Sequence, residues 1–386
     1  MFKFTSESVS KGHPDKVCDQ ISDAILDAFL TKDKDSRVAC EVLAKSSLLV
    51  VAGEVRSTGT INYPEVCHQV IKDIGYYDAE SGIDVDNLAI ILQVNSQSEE
   101  IAKGVDEGET DAGETKELGA GDQGIMFGYA CNETDELMPL SISLSHHLMQ
   151  RLTYLRFNDE QGYDHLRPDA KSQVTVNYVD GKLDAIDTIV ISTQHGPYAR
   201  LDILEEYVIE ECIKPTIPTA FQSDKIKFLV NYAGEFVFGG PQADCGLTGR
   251  KIIVDTYGGH APHGGGAFSG KDATKIDRSG AYLARYIAKN LVAAGVCDKC
   301  VVQLSYVIGA AAPVSINVNT LGTGKQLNYE QLVREVFPLK PREIINTFEL
   351  YRPIFRKTAT YGHFGRSEFP WERTDLVEKI KEKLFN

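Results

Sequence analysis

The chain has 386 residues, with 40 lysines and arginines against 55 aspartates and glutamates, so its formal net charge is −15. Nonspecific binding to nucleic acid or to an anionic membrane needs a basic surface, and this charge argues against both. Apolar residues make up 42% of the chain, enough at this length to bury a sizeable core. The longest strictly apolar runs, 48–52 and 88–92, are far shorter than the roughly 20 residues of a membrane helix.

Eight cysteines in a chain of this length are too few for a disulfide scaffold. Cys297 and Cys300 have the spacing of a metal or redox motif, but no second such pair accompanies them, and two ordinary thiols are the better interpretation. The first residues lack the apolar core of a signal peptide. We therefore expect a protein that acts in the cytoplasm.

Three stretches of the chain repeat the order helix, strand, strand, helix. In the first, apolar residues at helical spacing predict a helix over 15–30, followed by strands over 38–45 and 48–56 and a helix over 64–74. The second has a helix over 140–157, strands over 173–179 and 183–193 joined by the turn Asp180-Gly181, and a helix over 200–213 that Pro215 and Pro218 end. The third has a helix over 277–294, strands over 301–308 and 314–319, and a helix from about 328. We expect three related α/β (α+β) domains, each a mixed or antiparallel sheet covered by helices.

The segment 264–272, Gly-Gly-Gly-Ala-Phe-Ser-Gly-Lys-Asp, is the strongest candidate for a phosphate site. Glycines let backbone N–H groups approach a phosphate closely, and a lysine adds positive charge. The spacing from Gly265 to Lys271 fits the start of a P-loop, but Asp272 stands where a P-loop needs serine or threonine. The strand predicted over 251–257 also lies too far ahead of the loop. A phosphate-binding loop of another lineage is favoured, with a flexible surface loop as the alternative.

Charged residues near this loop fit a polyphosphate and its metal. The loop is flanked by the cations Arg250, Lys251, Lys271 and Lys275. Clustered cations of this kind bind phosphates. Asp15 begins the first helix and Asp277 the third, where a carboxylate either holds magnesium or stabilises the helix dipole.

Two glutamates share strand faces with apolar neighbours: Glu41 alternates with Ala39 and Leu43, and Glu54 with Ala52. A buried carboxylate needs a cation, a ligand ammonium or an arginine as its partner. A structural salt bridge, or a face open to solvent, is the alternative. The sequence has no nucleophile elbow and no histidine-rich metal motif, so it favours a displacement driven by stabilisation of the leaving group.

Several motifs together resemble those of the methionine adenosyltransferase (S-adenosylmethionine synthetase) family. They are Gly-His-Pro-Asp-Lys at 12–16, Gly-Ala-Gly-Asp-Gln-Gly at 119–124, Leu-Arg-Pro-Asp-Ala-Lys at 166–171, Asp-Cys-Gly-Leu-Thr-Gly-Arg-Lys at 244–251, the loop 264–272, His-Phe-Gly at 363–365 and Phe-Pro-Trp-Glu at 369–372. They occur in the family's order from about residue 2 to the end of the chain. The resemblance implies three structurally similar domains in a pseudo-threefold arrangement.

The resemblance also implies an activity, the synthesis of S-adenosylmethionine from ATP, L-methionine and water. The methionine sulfur attacks C5′ of the ribose, the triphosphate leaves, and the bound triphosphate is hydrolysed to phosphate and diphosphate. A thioether is a nucleophile with no proton to lose, which agrees with the lack of an obvious general base in the sequence.

The resemblance assigns roles to individual residues. The catalytic residues are expected to be His13, Lys171, Arg250 and Lys271. The ATP and phosphate site is expected to comprise His13, Asp169, Lys171, Phe236, Arg250, Lys251, Ala267 and Lys271. The methionine site is expected to comprise Glu54, Gln97, Asp122, Asp244 and Lys275, the last also near the phosphates. Two Mg²⁺ ions are expected at Asp15 and Asp277, and one K⁺ at Glu41.

In this family the site lies between two subunits, so a homodimer with shared active sites, often paired into a tetramer, is expected. Domains are expected over 1–102, 118–238 and 239–386, with a mobile lid over 103–117. The stretch between Gln97 and Asp122 is long and acidic, and Glu235 stands where many relatives have a basic residue. A ligand contact from position 235 is therefore left open.

Two other classes are kept as alternatives. A P-loop ATPase or kinase is weakened by Asp272 and by the spacing between strand and loop. A nucleotide sensor without catalytic activity would explain a phosphate loop, but not the paired acids at the starts of two helices.

Overall fold

The computed structural model describes residues 1–96, 118–158 and 165–385. The lid predicted over 103–117 and the methionine-site residue Gln97 lie outside the described residues. The described strands form three sheets, which helices cover, as the sequence predicted for the fold class. No helix in this part of the chain is both long and apolar enough to span a membrane.

The bounds of the elements are as follows. The strands are β1 (Phe2–Val9), β2 (Arg37–Lys45), β3 (Leu48–Arg56), β4 (Ala89–Ser96), β5 (Gly124–Cys131), β6 (Leu166–Val179), β7 (Lys182–His195), β8 (Lys227–Val230), β9 (Gly246–Leu247), β10 (Lys299–Tyr306) and β11 (Ser315–Asn319). The helices are α1 (Pro14–Lys32), α2 (Tyr63–Ile74), α3 (Leu140–Asn158), α4 (Leu201–Tyr207), α5 (Lys214–Thr216), α6 (Gly240–Ala243), α7 (Ile252–Asp255), α8 (Ile276–Ala293), α9 (Tyr329–Val336), α10 (Pro341–Phe348) and α11 (Val377–Phe385). A π-helical turn, Val208–Ile213, joins α4 to α5.

Each sheet combines strands that are distant in the sequence. The strand orders are β4-β3-β2-β9, β1-β6-β7-β8 and β11-β10-β5. The pairs β3–β4 and β7–β8 are parallel and the other pairs are antiparallel. Strands β9, β1 and β5 each join a sheet built mainly from another part of the chain. The residue bounds predicted for the three domains stay a prediction.

The first unit matches its prediction closely. Helix α1 buries Val17, Ile21 and Ile25 in a core that it shares with β2 and β3. Helix α2 ends at Gly75, whose φ of 97° is in the left-handed region that glycine adopts without strain. Helix α1 begins within the motif 12–16 and packs on the face of β2 that bears Cys40 and Val42, so Glu41 lies on the opposite face of the strand.

The second unit has a longer hairpin than predicted. Strand β6 begins at Leu166 instead of 173, and β7 extends to His195 instead of 193. Pro168 can lie in β6 because the pairing with β7 is interrupted between Leu166 and Ala170, where its missing N–H breaks no sheet hydrogen bond. The turn prediction is confirmed, since Val179 pairs with Lys182 across two residues of positive φ.

The prediction that Pro215 ends the following helix was wrong, because helical backbone continues to Thr216. Proline has no N–H to offer the carbonyl of Glu211, four residues earlier. The side chain of Arg151 compensates, since its Nε donates a hydrogen bond to that carbonyl at 2.9 Å.

The third unit contains another error. The segment predicted as a strand over 251–257 includes a helical turn, α7, in which the N–H of Asp255 donates to the carbonyl of Lys251 at 2.9 Å. A short apolar run does not distinguish a strand from a buried helical turn. Several further elements were not predicted from the sequence: strands β1, β4, β5, β8 and β9 and helices α6, α10 and α11.

Candidate active site

An open cleft of about 760 Å³ lies between the hairpin β2–β3 and the glycine-rich loop 264–272. Residues predicted for the site contribute to its lining, namely Glu41, Glu54, Ala267, Lys271 and Asp277. The fold therefore brings together predicted metal, methionine and phosphate residues from both ends of the chain.

Glu41 and Glu54 extend from the same face of the hairpin. The register pairs Ala39 with Glu54 and Glu41 with Ala52, so the two carboxylates lie diagonally across the strands. Both glutamates are exposed, and the alanines beside them leave this face open. Their carboxylates are thus accessible to a ligand in the cleft.

The glycines of loop 264–272 allow close packing against the wall of the cleft. A Cβ on Gly266 would lie 2.3 Å from the carboxyl carbon of Asp277, and one on Gly270 would lie 1.9 Å from the carbonyl oxygen of Cys40. Asp277 is in the first turn of α8, and Nζ of Lys271 donates to its Oδ2 at 2.7 Å. The ammonium of Lys271 in the loop and the carboxylate of Asp277 in α8 therefore lie side by side.

A second group of predicted residues surrounds the N-terminus of α1. The Nδ1 atom of His13, the N-cap residue, accepts a hydrogen bond from the N–H of Asp15 at 3.2 Å. Asp15 accepts hydrogen bonds from the N–H of Leu247, at 2.9 Å, and from the ammonium of Lys251. Burial opposes ionisation of Asp15, but these two hydrogen bonds prevail and lower its pKa. Asp15 is therefore an ionised carboxylate in contact with a cation.

His13 is a neutral hydrogen-bond donor. Burial and the positive charges of Lys251 and Lys171 lower its pKa to about 3. Because Nδ1 accepts a hydrogen bond, we assign the proton of the neutral ring to Nε2. The ring can thus donate Nε2–H to an anionic ligand near neutral pH.

Asp169 lies close to this group. Burial raises its pKa to about 6, although the N–H of Gly240 donates to Oδ2 at 2.8 Å. Its Oδ1 is buried and has no hydrogen-bond partner within the described residues. A buried oxygen in this state is available to a donor on a ligand. Lys171 and Asp244 both affect the pKa of Asp169, so these predicted residues belong to the same group.

The other predicted residues that lie within 1–96, 118–158 and 165–385 do not line the cleft. The ammonium of Lys275 pairs with the buried carboxylate of Asp272. Phe236 is half-buried, and its N–H donates to Nε2 of His195 at 2.9 Å. Asp122 is exposed, in a turn that reaches the loop before α8 through the hydrogen bond from Gly121 N–H to the carbonyl of Thr274, at 3.1 Å. Arg250 and Glu235 are exposed as well.

The donor atoms fit hard cations bound together with phosphate. Asp15 and Asp277 offer carboxylate oxygens, and each already holds a lysine ammonium, a cation, at its carboxylate. Among the described residues no cluster of three or more His, Cys, Asp or Glu could hold a metal by itself. Mg²⁺ often binds one or two carboxylates plus the phosphates of a substrate, and these residues suit that mode. The exposed carboxylate of Glu41 likewise suits a hard monovalent cation.

A buried network of charged side chains, which was not predicted from the sequence, lies next to the cleft residues and the residues around the N-terminus of α1. The ammonium of Lys16 contacts Asp19, at 3.0 Å, and Asp255, while Arg278 makes two hydrogen bonds to Asp23. All five side chains are almost fully buried. The recurrence of aspartate at every fourth position of α1 was the available signal, because residues at this spacing lie along one side of a helix.

The C-terminal motifs have a structural role. Trp371 is fully buried and stacks on Tyr282 of α8 with ring centroids 3.7 Å apart. Its Nε1 donates to the carbonyl of His363 at 2.8 Å. Arg285 of α8 pairs with Glu372 in the same region. These contacts fix α8, whose first turn contains Asp277.

Comparisons with known proteins agree with this arrangement. Family models described as the N-terminal, central and C-terminal domains of S-adenosylmethionine synthetase match residues 1–99, 117–236 and 238–373. The chain is also 54% identical over 385 residues to an S-adenosylmethionine synthase of Helicobacter hepaticus (strain ATCC 51449 / 3B1). That alignment covers 99% of this chain and 98% of the relative.

Proposed function

The chain belongs to the S-adenosylmethionine synthetase family, and we propose that it makes S-adenosylmethionine from ATP, L-methionine and water with the two groups of residues described above. The methionine sulfur attacks C5′ of the ribose and forms the new C–S bond. The C5′–O bond breaks, and its electron pair leaves with the triphosphate, which is then hydrolysed to phosphate and diphosphate. As a methionine adenosyltransferase, the protein is a transferase of S-adenosylmethionine biosynthesis.

The state of His13 is the observation that carries this mechanism. A thioether has no proton to transfer, so the main demand is to stabilise the negative charge that develops on the leaving oxygen. The neutral ring of His13 can donate Nε2–H to that oxygen, and Lys251 and Lys171 lie close enough to lower its pKa. A fixed donor among cations suits departure of a polyphosphate better than it suits proton abstraction.

The other residues are assigned by position. The phosphates are bound by Arg250, Lys251, Lys171 and Lys271. The nucleotide is contacted by Asp169, Phe236 and Ala267. Methionine is bound by Glu54, Gln97, Asp122, Asp244 and Lys275. Glu54 supports this division because its exposed carboxylate in the cleft suits the ammonium group of an amino acid. Asp169 supports it because no partner for its buried Oδ1 is found in the part of the chain that the structure describes.

We assign two Mg²⁺ ions to Asp15 and Asp277 and one K⁺ to Glu41. Mg²⁺ is commonly held by one or two carboxylates together with substrate phosphates, and an exposed carboxylate offers K⁺ oxygen ligands. Bound Mg²⁺ would neutralise part of the charge on the triphosphate.

The proposed assembly is a homodimer whose two subunits share their active sites. Two such dimers pair into a tetramer. The cleft lined by Glu41, Glu54 and Asp277 does not include His13 or Lys251. A second subunit would supply each cleft with the residues that it lacks. We place the enzyme in the cytoplasm, where ATP is available and where eight free thiols stay reduced.

Purified protein incubated with ATP, Mg²⁺, K⁺ and methionine tests the proposal. We expect S-adenosylmethionine, phosphate and diphosphate in equal amounts, in reactions that require methionine. Folded protein that binds ATP but forms no S-adenosylmethionine would instead be a nucleotide sensor. ATP hydrolysis at the same rate with and without methionine would indicate an ATPase.

A further inference from the structure

Four aspartates follow one another at every fourth position of helix α1, and each holds backbone N–H groups of another segment. Asp15 accepts from Leu247 at 2.9 Å, Asp19 from Gly249 at 2.8 Å, and Asp23 from Gly270 at 2.8 Å. Asp27 accepts from Phe355 at 3.0 Å and from Arg356 at 2.9 Å. We call these residues the aspartate ladder.

Asp19 and Asp23, the two middle residues of the aspartate ladder, each bind the glycine that precedes the cations of a loop. Gly249 directly precedes Arg250 and Lys251, and Gly270 directly precedes Lys271. Both glycines have positive φ, 77° and 82°. A Cβ on Gly249 would lie 2.5 Å from Cβ of Ala267, so the two loops also contact each other. One helix therefore holds both loops at the residue before their cations.

Asp19 and Asp23 each bind a buried cationic side chain in addition to the glycine N–H. Asp19 binds Gly249 through Oδ1 and the ammonium of Lys16 through Oδ2. Asp23 binds Gly270 through Oδ1 and the guanidinium of Arg278 through both oxygens. All four polar side chains are at most 1% exposed, counting Lys16 and Arg278. Charged hydrogen bonds at this depth restrain a loop more strongly than exposed ones.

We propose that Asp19 and Asp23 are positioning residues for the reaction, which fix Arg250, Lys251 and Lys271 in the arrangement that binds the triphosphate. Neither aspartate reaches the ligand. They act through the N–H groups of Gly249 and Gly270, so that the loops need little further ordering when the polyphosphate binds. This inference rests on the phosphate-binding role proposed above for the three cations.

Asparagine at either position keeps the size of the side chain but has a single acceptor oxygen, which cannot fully serve both the glycine and the cation. We expect Asp19→Asn and Asp23→Asn each to raise the dissociation constant of tripolyphosphate about tenfold or more and to lower kcat, with methionine affinity changed less than about twofold. Asp27→Asn is the control, because from the same helix Asp27 accepts backbone N–H groups of a segment that carries none of the three cations. It should leave tripolyphosphate binding and kcat unchanged, whatever its melting temperature.

Equal behaviour of the three asparagine variants would overturn the inference, since it would reduce the ladder to a source of stability. Lys251→Ala and Lys271→Ala separate this failure from that of the proposed function: if these variants bind tripolyphosphate normally, the phosphate site itself is wrong. If an asparagine variant does not fold, hydrogen exchange of the unsubstituted protein decides. The amides of Gly249 and Gly270 should exchange at least about 100-fold more slowly than in unstructured peptide, and unprotected amides would contradict the inference.

Discussion

Nζ of Lys271 lies 2.7 Å from Oδ2 of Asp277, and both side chains remain partly accessible from the cleft. A polyphosphate bound by Lys271 would exchange this carboxylate for phosphate oxygens. Because the contact is not fully buried, this exchange costs little. Lys271 can therefore serve as a cation for the triphosphate.

We expect Lys271→Ala to raise the dissociation constant of tripolyphosphate by about 10- to 100-fold, because a hydrogen bond to a charged group contributes about 1.5–3 kcal/mol. Calorimetric titration measures this directly. Lys182→Ala, at the exposed hairpin turn, is the control and should bind normally. Unchanged binding in Lys271→Ala would remove Lys271 from the phosphate site.

Substitutions of His13 separate its two roles, the helix cap and the proposed donor to the leaving oxygen. Asparagine keeps an N-cap acceptor but lacks the imidazole Nε2–H, whereas alanine loses both and about 1 kcal/mol of stability. We expect both variants to lower kcat by about 10²- to 10³-fold, the usual effect of removing one donor to a developing oxyanion. Single-turnover kinetics and ATP binding measure the effect. Loss of ATP affinity equal to the loss of kcat would contradict the assignment.

Glu54→Gln should weaken methionine binding and spare the phosphates. Loss of the charged partner for an ammonium group predicts a KM for methionine about 10- to 100-fold higher, with tripolyphosphate binding unchanged. Glu65→Gln, an exposed substitution in the first turn of α2, is the control. A similar KM in both variants would show that Glu54 does not contact methionine.

Local signals made much of this fold predictable. Apolar residues at helical spacing located α1 and α8, and Asp180-Gly181 located the β6–β7 turn. The exchange of strands between sheets was not predictable, because β1 pairs with β6 more than 160 positions away and local sequence carries no trace of that partner. Long-range pairing depends on tertiary packing, which overrides local preference.

The candidate site, like the fold, could be predicted from the sequence only in part. The resemblance assigned roles to Glu41, Glu54 and Asp277, and the fold places the three in one cleft. The orientation of Glu41 and Glu54 depended on which face of the hairpin was covered, and strand alternation alone does not determine this. The role of Asp19 needed the position of Gly249, which lies 230 residues away in sequence.

Asp27 predicts a pH dependence of stability. Burial and the nearby charge of Asp23 raise its pKa from 3.8 to about 7, against the N–H groups of Phe355 and Arg356 and the charge of Arg278. The folded protein therefore binds a proton here that the unfolded chain has released, and its stability falls as pH rises from about 4 to 7. A pKa difference of about 3 corresponds to at most about 4 kcal/mol.

Asp27→Asn removes this titration. Between pH 5 and 8 the free energy of unfolding should fall less in the variant than in the unsubstituted protein, by roughly 1–3 kcal/mol. Guanidinium unfolding at both pH values gives the difference. Parallel pH profiles for the two proteins would show that Asp27 is ionised normally in the folded state.

Glu372 tests whether the C-terminal motif serves stability. Its carboxylate accepts two hydrogen bonds from Arg285, both at 2.9 Å, and one from Lys289 at 2.7 Å, and it is 4% exposed. Removing one partner of a buried ion pair leaves the other charge uncompensated, so Glu372→Ala should cost about 3–5 kcal/mol of unfolding free energy. Glu368→Ala, which breaks an exposed pair with Arg366, should cost less than about 1 kcal/mol. Denaturant midpoints measure both. Because Arg285 and Lys289 lie at least two turns of α8 beyond Asp277, Glu372→Ala should retain the KM for ATP in conditions where it is folded. A raised KM in folded protein would show that the pairing with Arg285 also sets the position of Asp277.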